Sequence, residues 1–420
     1  MYLLLVLCIA AVAVGSPADT THDPLYGGIF TTAPPYVHPG EYHPPSDTQD
    51  VFDWKLSQSV FRENKDSNII LSPLSVKLLL TLLAEAAGQS VTSKTRTELE
   101  QVLPYNKSLF DAKEYFQKVL TSLGTKSDEY TVNIGTKMYV DQDVNPIQRF
   151  TSIIQYNYLA DVEKLNFGDS RASANSINGW VKQITNGRIK DLVSEDSLQN
   201  AVILLINALY FEATWRQPFN KTFTAPFQGS NGKRTDKAFM ERTGNHYYFY
   251  SKHLNSKILR IPYSGRRYSM FIILPNENQN LDAVVELLSS ETIKNEVWHM
   301  DEVEVHAVLP KFKFDTSLHL NEVVKKLGIK EIFENTATLP LLARGGTSEN
   351  KLKVSNIIQK SGIVVDEKGT TAWSATEIEL VNKFGGEPRE FVADRPFLFY
   401  IEDDTTGAKL FSGRVNNPEY

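Results

Sequence analysis

The stretch that most restricts the possible fold is residues 201–209, which read AVILLINAL and are apolar except at Asn207. A run of this length matches a β-strand, and a strand that lacks polar alternation is covered on both of its faces. The chain is therefore predicted to contain a sheet with other elements packed on each side. Further strands are predicted at residues 268–274, 302–309, 311–314 and 351–365.

Other stretches carry helix signals. Apolar residues recur at helical intervals from Phe52 to Phe61, which predicts an amphipathic helix over residues 51–63. Ser72 can cap a second helix, and Pro73 suits the first helical position. Further helices are predicted at residues 90–103, 108–123, 178–187 and 318–327.

A different strand signal lies at residues 370–380, where small or apolar residues alternate with a face that carries Trp373, Glu377 and Glu379. This period of two predicts one buried face and one exposed face. Gly369 comes just before, where a hinge needs backbone freedom, and the loop-like residues 385–388 follow. On the residues alone, two interpretations stay open. One is an ordinary strand followed by a surface loop, and the other is a strand-capable segment joined to a mobile loop that displays a basic residue.

The amino-terminal residues predict a secretory signal peptide, because residues 3–14 are uninterruptedly apolar, small residues follow, and the run is too short to span a bilayer comfortably. We assign residues 1–15 to it, with a second possible cleavage site after Ala18. The only cysteine, Cys8, lies inside this segment. The mature chain is therefore predicted to be secreted and to contain no thiol or disulfide.

Residues 16–50 are rich in Pro, Thr, Tyr and His, which predicts a flexible extension ahead of a folded domain at residues 51–420. His22, His38 and His43 have a spacing that matches no metal site, so no metal or cofactor is predicted. The net charge of −6 and a pI near 5.8 argue against a nucleic-acid binder. No membrane association is expected.

No catalytic constellation stands out. Gly168-Asp169-Ser170 is similar to the nucleophile motif of trypsin-like proteases, but Arg171 and Ala172 follow where that family has glycines. Nucleophile-elbow, zinc-protease and nucleotide-binding motifs do not occur in the sequence. The chain is therefore predicted not to be an enzyme.

Motifs along residues 51–420 resemble those of the serpins, a family of serine protease inhibitors. They are NIILSPLS at residues 68–75, NALYFEATW at 207–215, DEKGTTAWSAT at 366–376, FVADRPFLF at 391–399 and LFSGRVNNP at 410–418. The resemblance implies one α+β domain with a large central mixed β-sheet, further sheets, about nine helices and an exposed reactive-centre loop at residues 367–392.

In serpins that loop is bait for a serine protease, and after cleavage the segment before the cut inserts into the central sheet. The resemblance implies a hinge whose residues are Glu367, Lys368, Gly369, Thr370, Thr371, Ala372, Trp373, Ser374, Ala375 and Thr376. Counting from Gly369 puts the bait residue at Lys383, which is followed by Phe384. A lysine suits the acidic pocket of a trypsin-like protease, which would be held in a covalent 1:1 complex. If the bait were Phe384, the target would be a chymotrypsin-like enzyme.

The resemblance also implies a sheet-opening region whose residues are Ser72, Ser75, Asn207, Trp215 and Gln359. Three positions depart from the family pattern. Lys368 stands where Glu is usual, Trp373 and Ser374 interrupt a run that is usually Ala, and Gln359 replaces a common His. Trp373 falls on the exposed face of the alternation, so it should not block insertion.

Residues 380–385 resemble the bait of insect serpins that restrain clip-domain proteases of the prophenoloxidase and Toll cascades, which implies a haemolymph regulator of melanisation and innate immunity. The rival hypothesis is a non-inhibitory serpin that acts as a carrier, storage or chaperone protein. Asn106 and Asn220 are glycosylation acceptors in a secreted chain. Acidic residues interleave with the lysines of residues 107–126, which favours a solvated face over a heparin site. A monomer is expected.

Overall fold

Two β-sheets and nine α-helices make up the residues that the computed structural model describes, which are 48–88, 93–103, 105, 108–125, 127–189, 191–343, 352–369 and 387–420. The helices are α1 (Thr48–Glu63), α2 (Pro73–Ala87), α3 (Lys94–Val102), α4 (Leu109–Leu123), α5 (Gln148–Tyr158), α6 (Ser170–Ile184), α7 (Leu281–Leu287), α8 (Ser290–Trp298) and α9 (Asn321–Leu327). None of these helices is long and apolar enough to cross a membrane.

The strands are β1 (Ile69–Leu71), β2 (Tyr130–Asp141), β3 (Asp161–Leu165), β4 (Ile203–Ala213), β5 (Lys221–Gln228), β6 (Arg234–Ser251), β7 (Ser256–Pro262), β8 (Tyr268–Pro275), β9 (Asp301–Pro310), β10 (Phe312–His319), β11 (Val354–Val365), β12 (Arg389–Val392), β13 (Phe397–Asp403) and β14 (Lys409–Val415). A five-stranded sheet has the order β10-β11-β4-β2-β3. The other sheet has the order β1-β14-β13-β8-β7-β6-β9-β12, with β5 also paired to β6.

The five-stranded sheet is mixed, because β11 runs parallel to β4 and β2 runs parallel to β3, whereas the other neighbours are antiparallel. Strand β4 is covered on both faces. Its odd-numbered apolar residues pack into the main core on one face. On the other face, Leu204, Ile206 and Ala208 pack with residues of α6. The two-sided burial predicted for this stretch and the α+β class with a mixed central sheet are thus confirmed.

Helix α2 contacts β4 and β11 of one sheet and β14 of the other, and every one of its side chains is buried. The Ser72 side chain accepts a hydrogen bond from the Ser75 amide at 3.3 Å, and Pro73 occupies the first turn, as predicted. Because α2 contacts both β4 and β11, it lies under the boundary between these two strands.

Several element boundaries differ from the prediction. Helix α1 begins at Thr48, three residues before the predicted start of the folded domain. Helix α6 begins at Ser170, because the Asp169 side chain caps it by accepting from the Ala172 amide at 3.0 Å. The motif that resembled a protease nucleophile is therefore a helix cap. Strand β10 continues through His319, so α9 starts only at Asn321.

Candidate functional site

The site begins at the boundary between β11 and β4, which pair in parallel from Val354↔Ile203 to Gly362↔Tyr210. Beyond this ladder the chain reverses at residues 366–369. The Asp366 amide donates to the Gly369 carbonyl at 3.0 Å, and the Gly369 amide donates back to the Asp366 carbonyl at 3.2 Å. This reciprocal pair is the closing pair of a tight hairpin turn at the end of β11.

Gly369 also forms an antiparallel bridge with Thr214, which directly follows β4. It therefore lies between the two strands and runs antiparallel to both. Its φ of +124° is rarely adopted by other residues, and a Cβ there would lie 2.4 Å from the Ala213 carbonyl oxygen and from the Thr214 Cα. Only glycine fits this position, and the hinge role predicted for it stays a prediction.

Trp215 anchors the turn. Its indole Nε1 donates to the Asp366 carbonyl at 2.8 Å, and its amide donates to the Lys368 carbonyl at 3.0 Å. The indole is fully buried and stacks on Tyr263 with ring centroids 4.4 Å apart. Trp215 therefore holds the backbone of the hinge where it meets the sheet.

An ion pair holds the turn from its other side. Lys311 Nζ lies 2.8 Å from Glu367 Oε2 and also lies over the Tyr420 ring, 4.2 Å from its centroid. The Tyr420 hydroxyl donates to Asp366 Oδ2 at 3.3 Å. The hydrogen bond and charge of Lys311 hold the pKa of Glu367 below its usual value. Burial alone would lower the pKa of Lys311, but its pairing with Glu367 outweighs burial and raises it.

We expect Glu367→Gln to lower the melting temperature at neutral pH by a small amount, because a partly exposed ion pair contributes roughly 0.5 kcal/mol. A carboxylate whose pKa is lower in the folded state than in the unfolded state stabilises the fold, and this contribution is complete above the unfolded pKa of about 4.3. The contribution is lost as the pH falls through the folded pKa. The difference between wild type and variant should therefore shrink as the pH falls below about 4.3 and vanish only below the folded pKa of Glu367. Glu387→Gln, at an exposed carboxylate, is the control, and an unchanging difference at acidic pH would contradict the assignment.

A row of buried polar side chains crosses the sheet next to α2. Gln359 and Asn207 are register partners on β11 and β4, and both are fully buried. Gln359 Oε1 accepts from the Ser72 amide at 2.8 Å, and its Nε2 donates to the Ser72 carbonyl at 2.9 Å. Asn207 Nδ2 donates to the Thr136 hydroxyl at 2.9 Å. The fold thus brings Ser72, Asn207 and Gln359 together, with Ser75 on the same helix, whereas Trp215 lies at the hinge.

We expect Gln359→Ala to destabilise the uncut protein by about 3 kcal/mol, because it leaves the buried amide of Ser72 unpaired and removes one of the two hydrogen bonds that the Ser72 carbonyl accepts, the other coming from the Val76 amide. The measurement is the first unfolding transition in urea. Gln359→Met keeps most of the volume and removes both hydrogen bonds, so it should lose most of the same stability. If only the alanine variant is unstable, the lost volume rather than the hydrogen bonds stabilises this row.

Three hydroxyl or amide oxygens near this row have no hydrogen-bond partner among the described residues, although each is fully buried: Ser75 Oγ, Asn207 Oδ1 and Ser361 Oγ. Ser361 was missed by the sequence reasoning. Its position two residues after Gln359 puts both side chains on one face of β11, and this spacing was the available signal.

Other predicted positions are exposed or lie outside the described residues. Asn220 is exposed, next to an ion pair between Lys221 and Glu241 at 2.6 Å. Asn106, the hinge residues 370–376, Lys383 and Phe384 lie outside the described residues. The undescribed stretch 370–386 connects Gly369, at the five-stranded sheet, to β12 of the other sheet.

In the part of the chain that the structure describes, no group of three His, Cys, Asp or Glu side chains is arranged to hold a metal.

The comparisons with known proteins agree with this geometry. A family model described as serpin (serine protease inhibitor) matches residues 47–418. Serine protease inhibitor 2 of Anopheles gambiae is 41% identical over 378 residues, which are 89% of this chain and 92% of that protein.

Solved structures of similar fold come from insects and from vertebrates. Serpin48, a highly specific serpin of the insect Tenebrio molitor, is 30% identical, covers 89% of this chain and 98% of its own, and superposes with a TM-score of 0.77. Human thyroxine-binding globulin, in complex with thyroxine, is 26% identical, covers 89% and 98% of the two chains, and has a TM-score of 0.81.

Proposed function

Since the chain belongs to the serpin family, we propose that it is a secreted suicide inhibitor of trypsin-like serine proteases that is cleaved between Lys383 and Phe384. Family membership and the 41% identical inhibitor of Anopheles gambiae support protease inhibition in general. The trypsin-like target and the cleaved bond are the proposal.

The observation that carries the proposal is the position of Gly369 between β11 and β4. A segment that continued from Gly369 in the same register would enter the sheet as a new strand, antiparallel to both neighbours. Its even-numbered residues would then lie opposite odd-numbered residues of β11 and β4, which face the main core. These are the small or apolar residues Thr370, Ala372, Ser374 and Thr376, so the buried face predicted from alternation agrees with the register.

Inserting this strand is favourable once the loop is free. One parallel ladder between β11 and β4 is replaced by two antiparallel ladders, so the number of backbone hydrogen bonds increases. The insertion also buries apolar side chains such as Ile378 and Leu380. In the uncut chain, the segment continues covalently into β12 (Arg389–Val392) of the other sheet, which would restrain it.

The proposed reaction starts at the bait. The protease serine attacks the Lys383 carbonyl carbon and forms an acyl-enzyme, while the amide nitrogen of Phe384 leaves with a proton. The inserting residues 370–383 then carry the bound enzyme about 45 Å, at ~3.3 Å per residue. In serpins this displacement distorts the protease before deacylation. Each molecule is used once, so the protein acts as an inhibitor and not as a catalyst.

Mixing the protein with trypsin tests the proposal. The expected result is a higher band that survives denaturing electrophoresis, and a cut form that melts above the intact form because its sheet has one more strand. Clean cleavage with no stable complex would overturn the proposal, and so would a cut form that melts no higher.

The more specific part of the proposal is that the protein acts in insect haemolymph. The resemblance of residues 380–385 to the bait of insect serpins supports a clip-domain protease as the target and a role in restraining melanisation. Addition of the protein to haemolymph should lower phenoloxidase activity after a microbial elicitor, and Lys383→Ala should not. We also propose that the protein is secreted after removal of residues 1–15, carries glycans on Asn106 and on the exposed Asn220, and is a monomer before it is cut. Mass measurement of the secreted protein in its native state tests these three points together.

A cavity of about 250 Å³ favours a second candidate function, the carriage of a small amphipathic molecule. It lies between α1, α8 and strands β13 and β14, and its walls include Trp54, Trp298 and Tyr400. A relative of similar fold binds thyroxine. Titration calorimetry with thyroxine as the probe tests this function, with Trp298→Ala as a variant that alters the cavity at a half-exposed side chain. Absence of binding, together with the stable trypsin complex, would exclude it.

A further inference from the structure

Residues 416–420, which we call the strap, follow β14 of the large sheet and reach β10 of the five-stranded sheet. The backbone of the strap is held at two points. Asn68, just before β1, accepts from the Asn417 amide at 3.0 Å and donates back to the Asn417 carbonyl at 2.7 Å. Further along, the Glu419 carbonyl accepts from the Lys313 amide of β10 at 2.5 Å. The strap therefore has a fixed path over the junction of the two sheets.

Tyr420 ends the strap beside the tight turn at residues 366–369. Its hydroxyl donates to Asp366 Oδ2 at 3.3 Å, and Asp366 Oδ1 accepts from the Lys368 amide at 2.9 Å. An aspartate that bonds the amide two residues later mimics and stabilises a backbone turn. Partial burial and the charge of Asp366 raise the pKa of Tyr420, so its hydroxyl keeps its proton at neutral pH. One oxygen of Asp366 thus shapes the turn while Tyr420 holds the other.

The Tyr420 ring makes a second contact, with Lys311. The lysine Nζ lies 4.2 Å from the ring centroid and 2.8 Å from Glu367 Oε2. Lys311 links β9 to β10, and its amide donates to the Ala238 carbonyl of β6 at 2.8 Å, so its backbone is fixed by both sheets. A cation over an aromatic ring is attracted to the face of the ring. Tyr420 therefore restrains the lysine that pairs with the turn.

The turn is joined to the sheet through its carbonyl groups. The Trp215 amide donates to the Lys368 carbonyl at 3.0 Å, and the Phe219 amide donates to the Glu367 carbonyl at 2.8 Å. These bonds depend on the shape of the turn, because a hydrogen bond weakens steeply when its donor and acceptor are misaligned. A residue that fixes the Asp366 side chain therefore acts on these two bonds from the opposite side of the turn.

We propose that Tyr420 is a positioning residue for the turn at residues 366–369, which it holds in shape by orienting Asp366 and by restraining Lys311. The hydroxyl and the ring act through different partners, so their contributions can be separated by substitution. This role belongs to the uncut protein and goes beyond the proposed function, because it does not require that the protein inhibits a protease.

Hydrogen–deuterium exchange of the uncut protein, without protease, tests this role. In Tyr420→Ala, the amides of Trp215 and Phe219 should exchange about fivefold faster than in wild type, because both contacts with the turn are lost. Tyr420→Phe keeps the ring over Lys311 and loses only the hydroxyl, so exchange should rise about twofold. The matched control is Tyr156→Ala, which removes another exposed tyrosine, on α5, and should leave these amides unchanged.

A double-mutant cycle tests whether the hydroxyl acts through Asp366. In an Asp366→Ala background, Tyr420→Phe should not change the exchange of the Trp215 amide further, because the hydroxyl has lost its acceptor. Additive effects would overturn the proposal, and so would wild-type exchange in Tyr420→Ala. Amides of β8 should exchange at the wild-type rate in every variant, and an equal rise there would show that Tyr420 supports the whole fold instead of the turn. Failure of this inference leaves the proposed inhibition intact, because the trapping of trypsin is measured separately.

Discussion

Replacing Lys383 by alanine is expected to reduce the rate at which trypsin is trapped by about a thousandfold or more. The specificity pocket of a trypsin-like enzyme contains a buried carboxylate, and a substrate without a basic side chain leaves that carboxylate unpaired. A site built for a polar partner discriminates strongly against an analogue that lacks it. The measurement is the second-order rate of formation of the denaturant-resistant complex.

Lys368→Ala is the matched control for this change. Lys368 is also a lysine near the loop, but its side chain is exposed, and only its backbone amide and carbonyl hold the hinge. Its replacement should leave trypsin trapping unchanged. If Lys383→Ala still traps trypsin quickly, the bait is elsewhere, and rapid trapping of chymotrypsin by the same variant would identify Phe384 as the bait.

Replacing Thr370 by arginine is expected to convert the inhibitor into a substrate. In the proposed inserted form, a register continued from Gly369 would place residue 370 between Val365 and Ala213, whose exposures are 1% and 2%. An arginine there would have to lose its hydration in an apolar layer without a partner charge, at a cost of several kcal/mol. Insertion should stall at its first step, before the enzyme is displaced.

Electrophoresis after mixing with trypsin measures this effect. Cleavage of Thr370→Arg should be complete, because Lys383 is unchanged, and the covalent complex should be absent. Thr371→Arg is the matched control, since the same proposed register would place residue 371 beside Glu212 and Val364, which lie on the partly exposed face. This control should still trap trypsin. Trapping by the Thr370→Arg variant would show that the hinge does not enter the sheet in the proposed way.

Much of the architecture was predictable because its signals are local. The apolar run at residues 201–209 is β4, and its lack of alternation correctly predicted burial on both faces. The cap of α2 depends on Ser72 and Pro73, which are adjacent in the chain. Boundaries were predicted less well. The end of β10 at His319 depends on cross-strand pairing with Ile358, which local spacing does not encode.

The candidate site was predictable only in outline. Motif resemblance named Asn207, Trp215 and Gln359, but it did not specify what their side chains contact. Gln359 bonds Ser72 across 287 positions of sequence, and the Trp215 indole bonds the Asp366 carbonyl across 151 positions. The spacing of Ser361 from Gln359 was visible in the sequence, but the absence of a hydrogen-bond partner for its hydroxyl among the described residues was not, because that is a property of the surrounding packing.

By itself, the sequence determined that residues 201–209 form a strand buried on both faces and that Ser72 and Pro73 begin a helix, whereas the buried face of residues 370–380 and the hinge role of Gly369 stay predictions. These properties depend on side-chain periodicity and on backbone freedom, which act over a few neighbouring residues. Only the tertiary structure decided that Gly369 lies between β11 and β4, that Trp215 and Lys311 hold the turn, and that the Ser361 hydroxyl has no partner in the part of the chain that the structure describes. The physical reason is that a hydrogen-bond register, and the satisfaction of a buried polar group, are set by residues that are distant in sequence and meet only after the chain has folded.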